Sequence, residues 1–223
     1  MFMPNKVRLT VSSNKTRDTY LARSYPQRDR DRNGKNEYYR VPVYNLRIES
    51  LDRTDGVAKA INWKVLRFMP YLNDGKQAKH QHLRGRGFDT KGLSTKRSVF
   101  VKQYKEDYTV HNTFSPYHGA IVVTGAAYIH AGPKTVTDAG WGAAGCVEVI
   151  GDFNRFKQDI LSCAGHKYDT NALQIAGLMK SRLLTLVREM DKRISDLVKR
   201  RKLLVLVEAA VKPRLKVAFE SSK

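Results

Sequence analysis

A histidine and a cysteine lie sixteen residues apart across a glycine-rich stretch of this sequence. The stretch reads IHAGPKTVTDAGWGAAGC and spans residues 129–146, with His130 near its beginning and Cys146 at its end. A nucleophilic cysteine needs a base within hydrogen-bond reach and surroundings that favour the thiolate. Because a strand–loop–strand arrangement brings the ends of such a loop together, we interpret Cys146 as a nucleophile and His130 as its base. Taken singly, each has a plainer interpretation, Cys146 as a small buried residue and His130 as a structural histidine.

Small residues precede the cysteine and allow a substrate to approach the backbone closely. Gly142 and Gly145 enclose two alanines, the second of which is Ala144. Backbone N–H groups at Ala144, Gly145 and Cys146 would converge as the oxyanion-stabilising donors that acyl transfer requires. The loop is therefore predicted to supply both a nucleophile and an oxyanion hole.

The histidines are poorly spaced for a metal site. His80 and His82 form an HQH pair in a lysine-rich stretch, but zinc requires three or four ligands, and no zinc-finger or HExxH spacing occurs. The other candidate ligands are His111, His118, His130 and Cys146. Neither GxxxxGK[ST] nor a GxGxxG that leads from a strand into a helix is present. We expect no metal, nucleotide or other cofactor.

The positive charge of the chain is unevenly distributed. The net charge of +20 favours a polyanionic partner such as nucleic acid, cell wall or a membrane surface. Residues 1–100 carry a net +13 and residues 166–223 a net +8, whereas residues 101–165 carry −1. A nucleic-acid enzyme more often lines its reactive cleft with Lys and Arg. The alternative function is a basic nucleic-acid-binding or phage-assembly protein without catalysis, whose Tyr38, Tyr39 and Tyr44 would stack on bases.

The first half of the chain has the composition of strands and turns. VRLTVSS, YYRVPVYNLRIESL and INWKVLRFMPYL are rich in β-branched and aromatic residues, and Pro70 indicates an edge or a bulge in the third. The glycine- and lysine-rich stretch that includes residues 76–97 is predicted to be a long connection, of a length that is usually functional or mobile.

The second half alternates strands with two helices. SVFVKQY, the two apolar runs of YHGAIVVTGAAYIHAG, and CVEVIGD are predicted strands. DFNRFKQDILSC is predicted to be a helix with Asp152 as its N-cap and Cys163 in the core, and Asn171 to about Lys199 a long amphipathic helix. The tail LLVLVEAAVKPRLKVAFE is predicted to form closing strands split by Pro213. No apolar run is long enough to span a membrane.

Residues 118–150 resemble the signature region of the L,D-transpeptidase (YkuD-like) catalytic domain. They read HGAIVVTGAAYIHAGPKTVTDAGWGAAGCVEVI. That family has a strand that ends in a histidine closely followed by glycine, and later a Ser-His-Gly-Cys element before an apolar strand. His130 and Gly132 match the first part, and the Gly-Cys pair at 145–146 matches the last.

The sequence also departs from this family pattern. Ala143 and Ala144 stand where the family has Ser-His, and Glu148 stands where an arginine commonly follows the cysteine. The resemblance therefore indicates a divergent relative, which retains the nucleophile and the upstream histidine.

The resemblance implies a β-rich L,D-transpeptidase-like catalytic domain. Together with the predicted long C-terminal amphipathic helix and short closing strands, it indicates an α+β fold. It implies that Cys146 attacks a carbonyl of a peptidoglycan stem peptide and forms a thioester, while His130 takes the thiol proton. In the family a backbone carbonyl often orients the histidine; if a side chain does so here, Asp138 and Glu148 are the candidates. His118 is a secondary catalytic candidate. Water, a D-amino acid and a second stem peptide are all open as acyl acceptors, for carboxypeptidase, exchange or transpeptidase activity.

Divergent domains of this family also serve as interbacterial toxins that type VI secretion delivers into the periplasm of a rival. The first residues lack the basic-then-apolar order of a secretory signal. We therefore expect synthesis in the cytoplasm, secretion, and activity in the periplasm of a target cell, with stem peptides, secretion machinery and an immunity protein as partners. We expect residues 1–223 to form one catalytic domain, made of a strand-rich basic part (1–100), a catalytic core segment (101–165) and a basic helix with closing strands (166–223).

Overall fold

The computed structural model describes residues 3–25, 28–29, 33–52, 60–72, 88–109, 118–167 and 180–222. Within these residues the chain is a sheet-rich α+β protein with two helices. Neither described helix is both long and apolar enough to cross a membrane. The α+β class expected from the sequence is thereby confirmed at this coarse level.

Strands and helices alternate little along the described chain, because eleven of the strands precede both helices. In chain order they are β1 (Val7–Arg23), β2 (Lys35–Ser50), β3 (Ala60–Leu66), β4 (Phe68–Leu72), β5 (Phe88–Gly92), β6 (Arg97–Phe100), β7 (Tyr104–Lys105), β8 (Ala120–Thr124), β9 (Ala127–Ala131), β10 (Ala139–Gly140), β11 (Val147–Val149), α1 (Phe153–Cys163), α2 (Lys180–Lys199), β12 (Leu203–Val207) and β13 (Val217–Ser222).

Eleven of these strands form one sheet. Its order is β6-β12-β1-β2-β3-β11-β9-β8-β7, with β10 paired to β1 and β13 paired to β2. The long antiparallel pair of β1 and β2 lies near its centre, and the register of this pair shifts on either side of Lys15. Before this irregularity β1 pairs with β12, and after it β1 pairs with β10. Strands from the segments 1–100, 101–165 and 166–223 therefore share one sheet.

The helices pack against each other and against the sheet. Val7, Leu9 and Val11 are fully buried at alternate positions of β1, as expected of a strand with one face turned to the core. In the same core, the Phe156 ring of α1 contacts the Trp63 ring of β3 edge to face, with 5.5 Å between the ring centroids. Each such apolar side chain contributes about 1.5–3 kcal/mol when fully buried, so this contact fixes α1 against the strands beside it.

The helix α1 begins where its sequence predicts. The Asp152 carboxylate accepts hydrogen bonds from the backbone N–H groups of Asn154 at 2.8 Å and Arg155 at 3.2 Å. These bonds satisfy two of the N–H groups that a helix start leaves without partners, and such a cap contributes about 0.5–2 kcal/mol. Cys163 ends the helix and is buried in the core, as expected from the sequence.

The predicted strand INWKVLRFMPYL is wrong as a single element. It divides into β3 and β4 at Arg67, which is fully buried. The Arg67 guanidinium donates to the backbone oxygens of Ser12 at 2.6 Å, Leu93 at 2.9 Å and Glu208 at 2.7 Å. Because these carbonyls come from three separate segments, Arg67 joins them where β4 leaves the main sheet. Pro70 then lies in a two-stranded sheet with β5, where a missing N–H is tolerated.

Two further predictions need a correction of extent. The predicted connection contains a strand, β5, which pairs with β4; residues 73–87 lie outside the described part of the chain. The long amphipathic helix is described from Lys180 to Lys199, and its predicted first residues, 171–179, are outside that part as well. The closing strands on the two sides of Pro213 are confirmed as β12 and β13.

Candidate active site

The two strands that bear the histidine and the cysteine are neighbours in the sheet. β9 and β11 run parallel, with Glu148 beside His130 and Val147 beside Ile129. Neighbouring strands lie about 4.8 Å apart, and residues two apart on a strand face the same way. Cys146 directly precedes β11 and lies two residues before Glu148. The predicted strand–loop–strand arrangement is confirmed, and it brings the two ends of the loop onto neighbouring strands in the interior of the sheet.

A pocket of about 380 Å³ opens at this place. Its walls combine a thiol, an imidazole, a carboxyl group, a lysine and several aromatic rings. The lining residues are Tyr25, Met69, Tyr71, Lys91, Tyr108, His130, Gly142, Ala144, Cys146 and Glu148. Four side chains or backbone positions that the sequence singles out therefore meet in one cavity: Cys146, His130, Ala144 and Glu148.

His130 is held in a defined orientation. It is 3% exposed, and its Nδ1 lies 2.8 Å from the backbone oxygen of Ala131. A proton on Nδ1 would be donated to this carbonyl, which assigns the basic lone pair to Nε2. The Tyr108 ring packs against the imidazole with 5.5 Å between centroids. The Ala131 carbonyl is a backbone partner of the kind that the family resemblance implies for this histidine.

Gly132 explains why a glycine follows the histidine so closely. A Cβ at this position would lie 2.8 Å from Glu148 Cβ and 2.9 Å from the backbone oxygen of Val149. The Gly132 N–H donates to that same oxygen at 2.9 Å, which extends the pairing of β9 with β11. Because any side chain would push the strands apart, glycine here keeps His130 and Glu148 close together.

The backbone before Cys146 also depends on glycine. Gly145 has φ 123°, a conformation that other residues rarely adopt, and nothing lies within 4 Å of a Cβ built there. At Gly142 the restriction is steric, because a Cβ would lie 2.8 Å from the backbone oxygen of Phe68. These two positions set the path of the chain into Cys146, and Ala144 between them faces the pocket.

The surroundings of Cys146 favour the thiol over the thiolate. Burial raises the pKa of Cys146, a backbone hydrogen bond with Tyr128 opposes this effect, and the nearby Glu148 carboxyl raises the pKa further. A thiol of raised pKa needs a base in order to attack a carbonyl. His130 on the adjacent strand is the base that lines the same pocket.

Glu148 is the acid among the residues that line the pocket, and it is deeply buried. It is 5% exposed, and burial raises the pKa of its carboxyl to about 8. Within the described part of the chain no group donates a hydrogen bond to it or pairs with it as a cation. At neutral pH the group is therefore mainly protonated, and its polar atoms are left for a molecule that enters the pocket.

Two predicted residues lie elsewhere. The Asp138 carboxylate accepts from the Thr135 N–H at 2.9 Å and from the Thr135 hydroxyl at 3.0 Å, so it closes a turn and does not reach His130. His118 Nε2 lies 3.4 Å from Asp191 Oδ2, in a buried polar cluster apart from the pocket lining. Their predicted orienting and catalytic roles find no support in this arrangement.

Among the described residues no three His, Cys, Asp or Glu side chains gather as ligands for a metal ion. His80, His82 and His111 lie outside the described residues.

The aromatic residues that line the pocket are not predicted from the sequence. Tyr25 follows β1 and forms an isolated bridge with Tyr71 of β4, and their ring centroids are 5.7 Å apart. Tyr25 also meets the Trp141 ring edge to face at 5.6 Å. No local pattern reveals this wall, because it depends on where β4 lies relative to β9 and β11.

The fold and the site together define a sheet-rich α+β protein with a cysteine–histidine pocket. No protein-family model, curated protein or solved structure matches this chain.

Proposed function

We propose that this protein is a cysteine-dependent enzyme that transfers the acyl group of a peptidoglycan stem peptide through a thioester. The observation that carries the proposal is the shared pocket of Cys146 and His130, in which Ala131 fixes the tautomer of the imidazole. A thiol, an oriented base and a small-residue turn are the parts that acyl transfer to cysteine requires.

The proposed reaction has two steps, acylation of Cys146 and transfer of the acyl group to an acceptor. His130 Nε2 takes the thiol proton as Cys146 Sγ bonds to the substrate carbonyl carbon, and backbone N–H groups at Ala144, Gly145 and Cys146 hold the oxyanion. The C–N bond of the substrate then breaks, the leaving amine takes the proton from His130, and a thioester remains. An acceptor gives a proton to His130 and bonds to the thioester carbon. The C–S bond breaks, and the proton returns to Cys146.

Peptidoglycan as the substrate is supported by two features of the sequence. The first is the resemblance of residues 118–150 to the L,D-transpeptidase signature, although Ala144 and Glu148 depart from it. The second is the charge of the chain, since basic segments on both sides of a nearly neutral catalytic segment suit adsorption to an anionic wall. On this proposal the protein acts in the periplasm of a target cell, as a secreted toxin with a cognate immunity protein.

The proposal is tested by incubating the protein with purified wall fragments and identifying the products by mass spectrometry. Wild-type protein is expected to shorten, exchange or crosslink stem peptides, and Cys146→Ala to form no product. Cys163→Ala is the matched control, because Cys163 is buried in the core away from the pocket, and this variant is expected to retain activity. Equal product formation by Cys146→Ala and wild type would contradict the mechanism.

The charge also supports a second candidate, a nucleic-acid-binding protein. Exposed basic residues lie along α2 and directly after it, at Arg188, Lys192, Lys199, Arg200 and Arg201. Such a protein binds generic DNA or RNA with a steep dependence on salt. A filter-binding titration at two salt concentrations discriminates the two candidates, and tight, salt-sensitive binding together with inactivity on wall fragments would favour this second one.

A further inference from the structure

Glu148 presents an unpartnered carboxyl group to the Cys146 pocket. Its side chain lines the cavity, and it is 5% exposed. No described residue satisfies the carboxyl by a hydrogen bond or as a cation. A buried polar group without a partner costs about 1–3 kcal/mol, and a charged group costs more. A molecule that supplies the missing partner therefore gains affinity from a group that the fold already holds in place.

The other walls of the pocket favour a cation. Tyr25, Tyr71 and Tyr108 line it with aromatic rings, whose faces attract ammonium groups. The protein itself shows this preference, because the ammonium of Lys91, which also lines the pocket, lies over the Tyr71 ring at 4.4 Å from its centroid. The rings of Tyr25 and Tyr108 are therefore the ones available to a ligand cation. A carboxyl group within a wall of tyrosine rings is a combination that recognises alkylammonium compounds.

The alternatives satisfy only part of this arrangement. A ligand carboxylate would pair with Lys91 of the lining, but the negative faces of the tyrosine rings repel an anion. It would also keep Glu148 protonated, because two carboxylates at one site cannot both ionise. A neutral hydroxyl or amide would form a hydrogen bond with Glu148 but would gain nothing from the aromatic faces. A volume of about 380 Å³ is at the lower end of ligand pockets and suits an extended chain of amino-acid size.

We propose that this pocket selects a ligand with a primary ammonium group, which pairs with Glu148 beside the rings of Tyr25 and Tyr108. The inference rests on the proposed function, in which it makes an amine the acyl acceptor in preference to water. Glu148 is then a specificity-determining residue beside the thioester of Cys146.

The transfer step balances with this assignment. Pairing with the ammonium ionises Glu148, whose proton passes to solvent. The bound ammonium then releases one proton to solvent, and one of its remaining N–H groups donates to the Glu148 carboxylate. The amine nitrogen bonds to the thioester carbon, the C–S bond breaks, and the second proton of the nitrogen passes through His130 to the Cys146 sulfur. An amide and a free thiol result.

Protection of Cys146 from iodoacetamide tests the recognition without any need for turnover. Three probes of equal length are compared: 6-aminohexanamide, 6-hydroxyhexanamide and the monoamide of adipic acid. Alkylation of Cys146 is followed by peptide mass spectrometry. The ammonium probe is expected to protect wild-type Cys146 at concentrations about tenfold lower than the neutral probe, since charge-assisted hydrogen bonds are worth about 1.5–3 kcal/mol. The anionic probe is expected to protect least.

Glu148→Gln is expected to abolish the advantage of the ammonium probe. The matched control is Glu189→Gln, because Glu189 is an exposed acid on α2 outside the pocket lining, and this variant is expected to behave as wild type. Equal protection of wild-type Cys146 by the three probes overturns the inference, and this result requires no variant to fold.

Activity assays separate this inference from the proposed function. With wall fragments and an added amine, Glu148→Gln is expected to lower the ratio of amine transfer to hydrolysis about tenfold. An unchanged ratio in an active variant contradicts the role of Glu148 and leaves the cysteine mechanism intact. Selective protection by the ammonium probe without any turnover contradicts the proposed function and supports ammonium recognition alone.

Discussion

Two buried acids, Asp191 and Glu148, have opposite surroundings. Asp191 of α2 is 2% exposed and accepts from the Tyr104 hydroxyl at 2.5 Å and from Lys157 Nζ at 2.6 Å, with His118 Nε2 at 3.4 Å. Glu148 of β11 is 5% exposed and has no such partner among the described residues. The same type of group is therefore satisfied by the fold at one place and left unsatisfied at the other.

This difference distinguishes a cluster that stabilises the fold from the pocket for which we propose a ligand. The partners of Asp191 come from β7, α1 and the segment before β8, so the cluster ties α2 to three other parts of the chain. Burial lowers the pKa of Lys157 while the adjacent Asp191 raises it, which shows that each charge compensates the other. Nothing in the described fold compensates Glu148 in this way, and its pocket also contains Cys146. Unsatisfied groups in an otherwise consistent fold are expected where a ligand binds.

The largest effect on stability is expected from Asp191→Asn. This change leaves the Lys157 ammonium buried without its counter-ion, and breaking a buried pair costs about 3–5 kcal/mol. Urea unfolding of the variant measures the loss. Asp196→Asn is the control on the same helix, because its ion pair with Arg200 is exposed and such pairs contribute about 0–1 kcal/mol. Equal losses for the two variants would contradict the contrast between buried and exposed acids.

Glu148→Gln is expected to stabilise the protein at alkaline pH. The carboxyl has a pKa near 4.5 when unfolded and about 8 when folded, so between these values only the folded state holds the proton. The free energy of unfolding of wild type therefore falls as pH rises through this window, by about 1.4 kcal/mol per pH unit from this group. Relative to wild type, the glutamine variant should gain about 2–3 kcal/mol between pH 6 and pH 9. A pH-independent difference, measured by urea unfolding, would show that Glu148 is compensated after all.

A smaller effect is expected from Tyr104→Phe. The Tyr104 hydroxyl donates to Asp191, and loss of a hydrogen bond to a charged group costs about 1.5 kcal/mol when Lys157 still compensates the carboxylate. Thermal or urea unfolding measures the change. Tyr128→Phe is the comparison, because the Tyr128 hydroxyl lies at the surface and donates to Gly125 at 3.2 Å. A larger loss at Tyr128 than at Tyr104 would be inconsistent with the importance assigned to the buried cluster.

Local sequence patterns predict the parts of this fold that depend on neighbouring residues. Asp152 predicts the start of α1 because an N-cap acts within three residues. The apolar runs on the two sides of the 129–146 loop predict β9 and β11, and the spacing of His130 and Cys146 identifies the two ends of the loop. Pro213 predicts the separation of the last two strands for the same local reason.

Long-range contacts account for what the sequence does not reveal. Arg67 occurs within an apolar run, and only the convergence of three distant carbonyls explains why it is buried there and why the strand divides. The same holds for the pocket, since Tyr25 and Tyr71 are brought to Cys146 by separate parts of the chain. The departure of Glu148 from the family pattern was visible in the sequence. Its lack of a partner was not, because it depends on the residues that surround it in the fold.

The central claim, that Cys146 carries an acyl group, is tested most directly by trapping the thioester. Protein mixed with a purified wall stem peptide is quenched in acid and its intact mass measured, and peptide mapping then locates the adduct. The account predicts a hydroxylamine-sensitive adduct on Cys146 in wild type and Cys163→Ala, none in Cys146→Ala, and formation about 10²–10⁴-fold slower in His130→Gln. Turnover of the stem peptide without an adduct on Cys146, or an adduct that forms equally fast in His130→Gln, would contradict it.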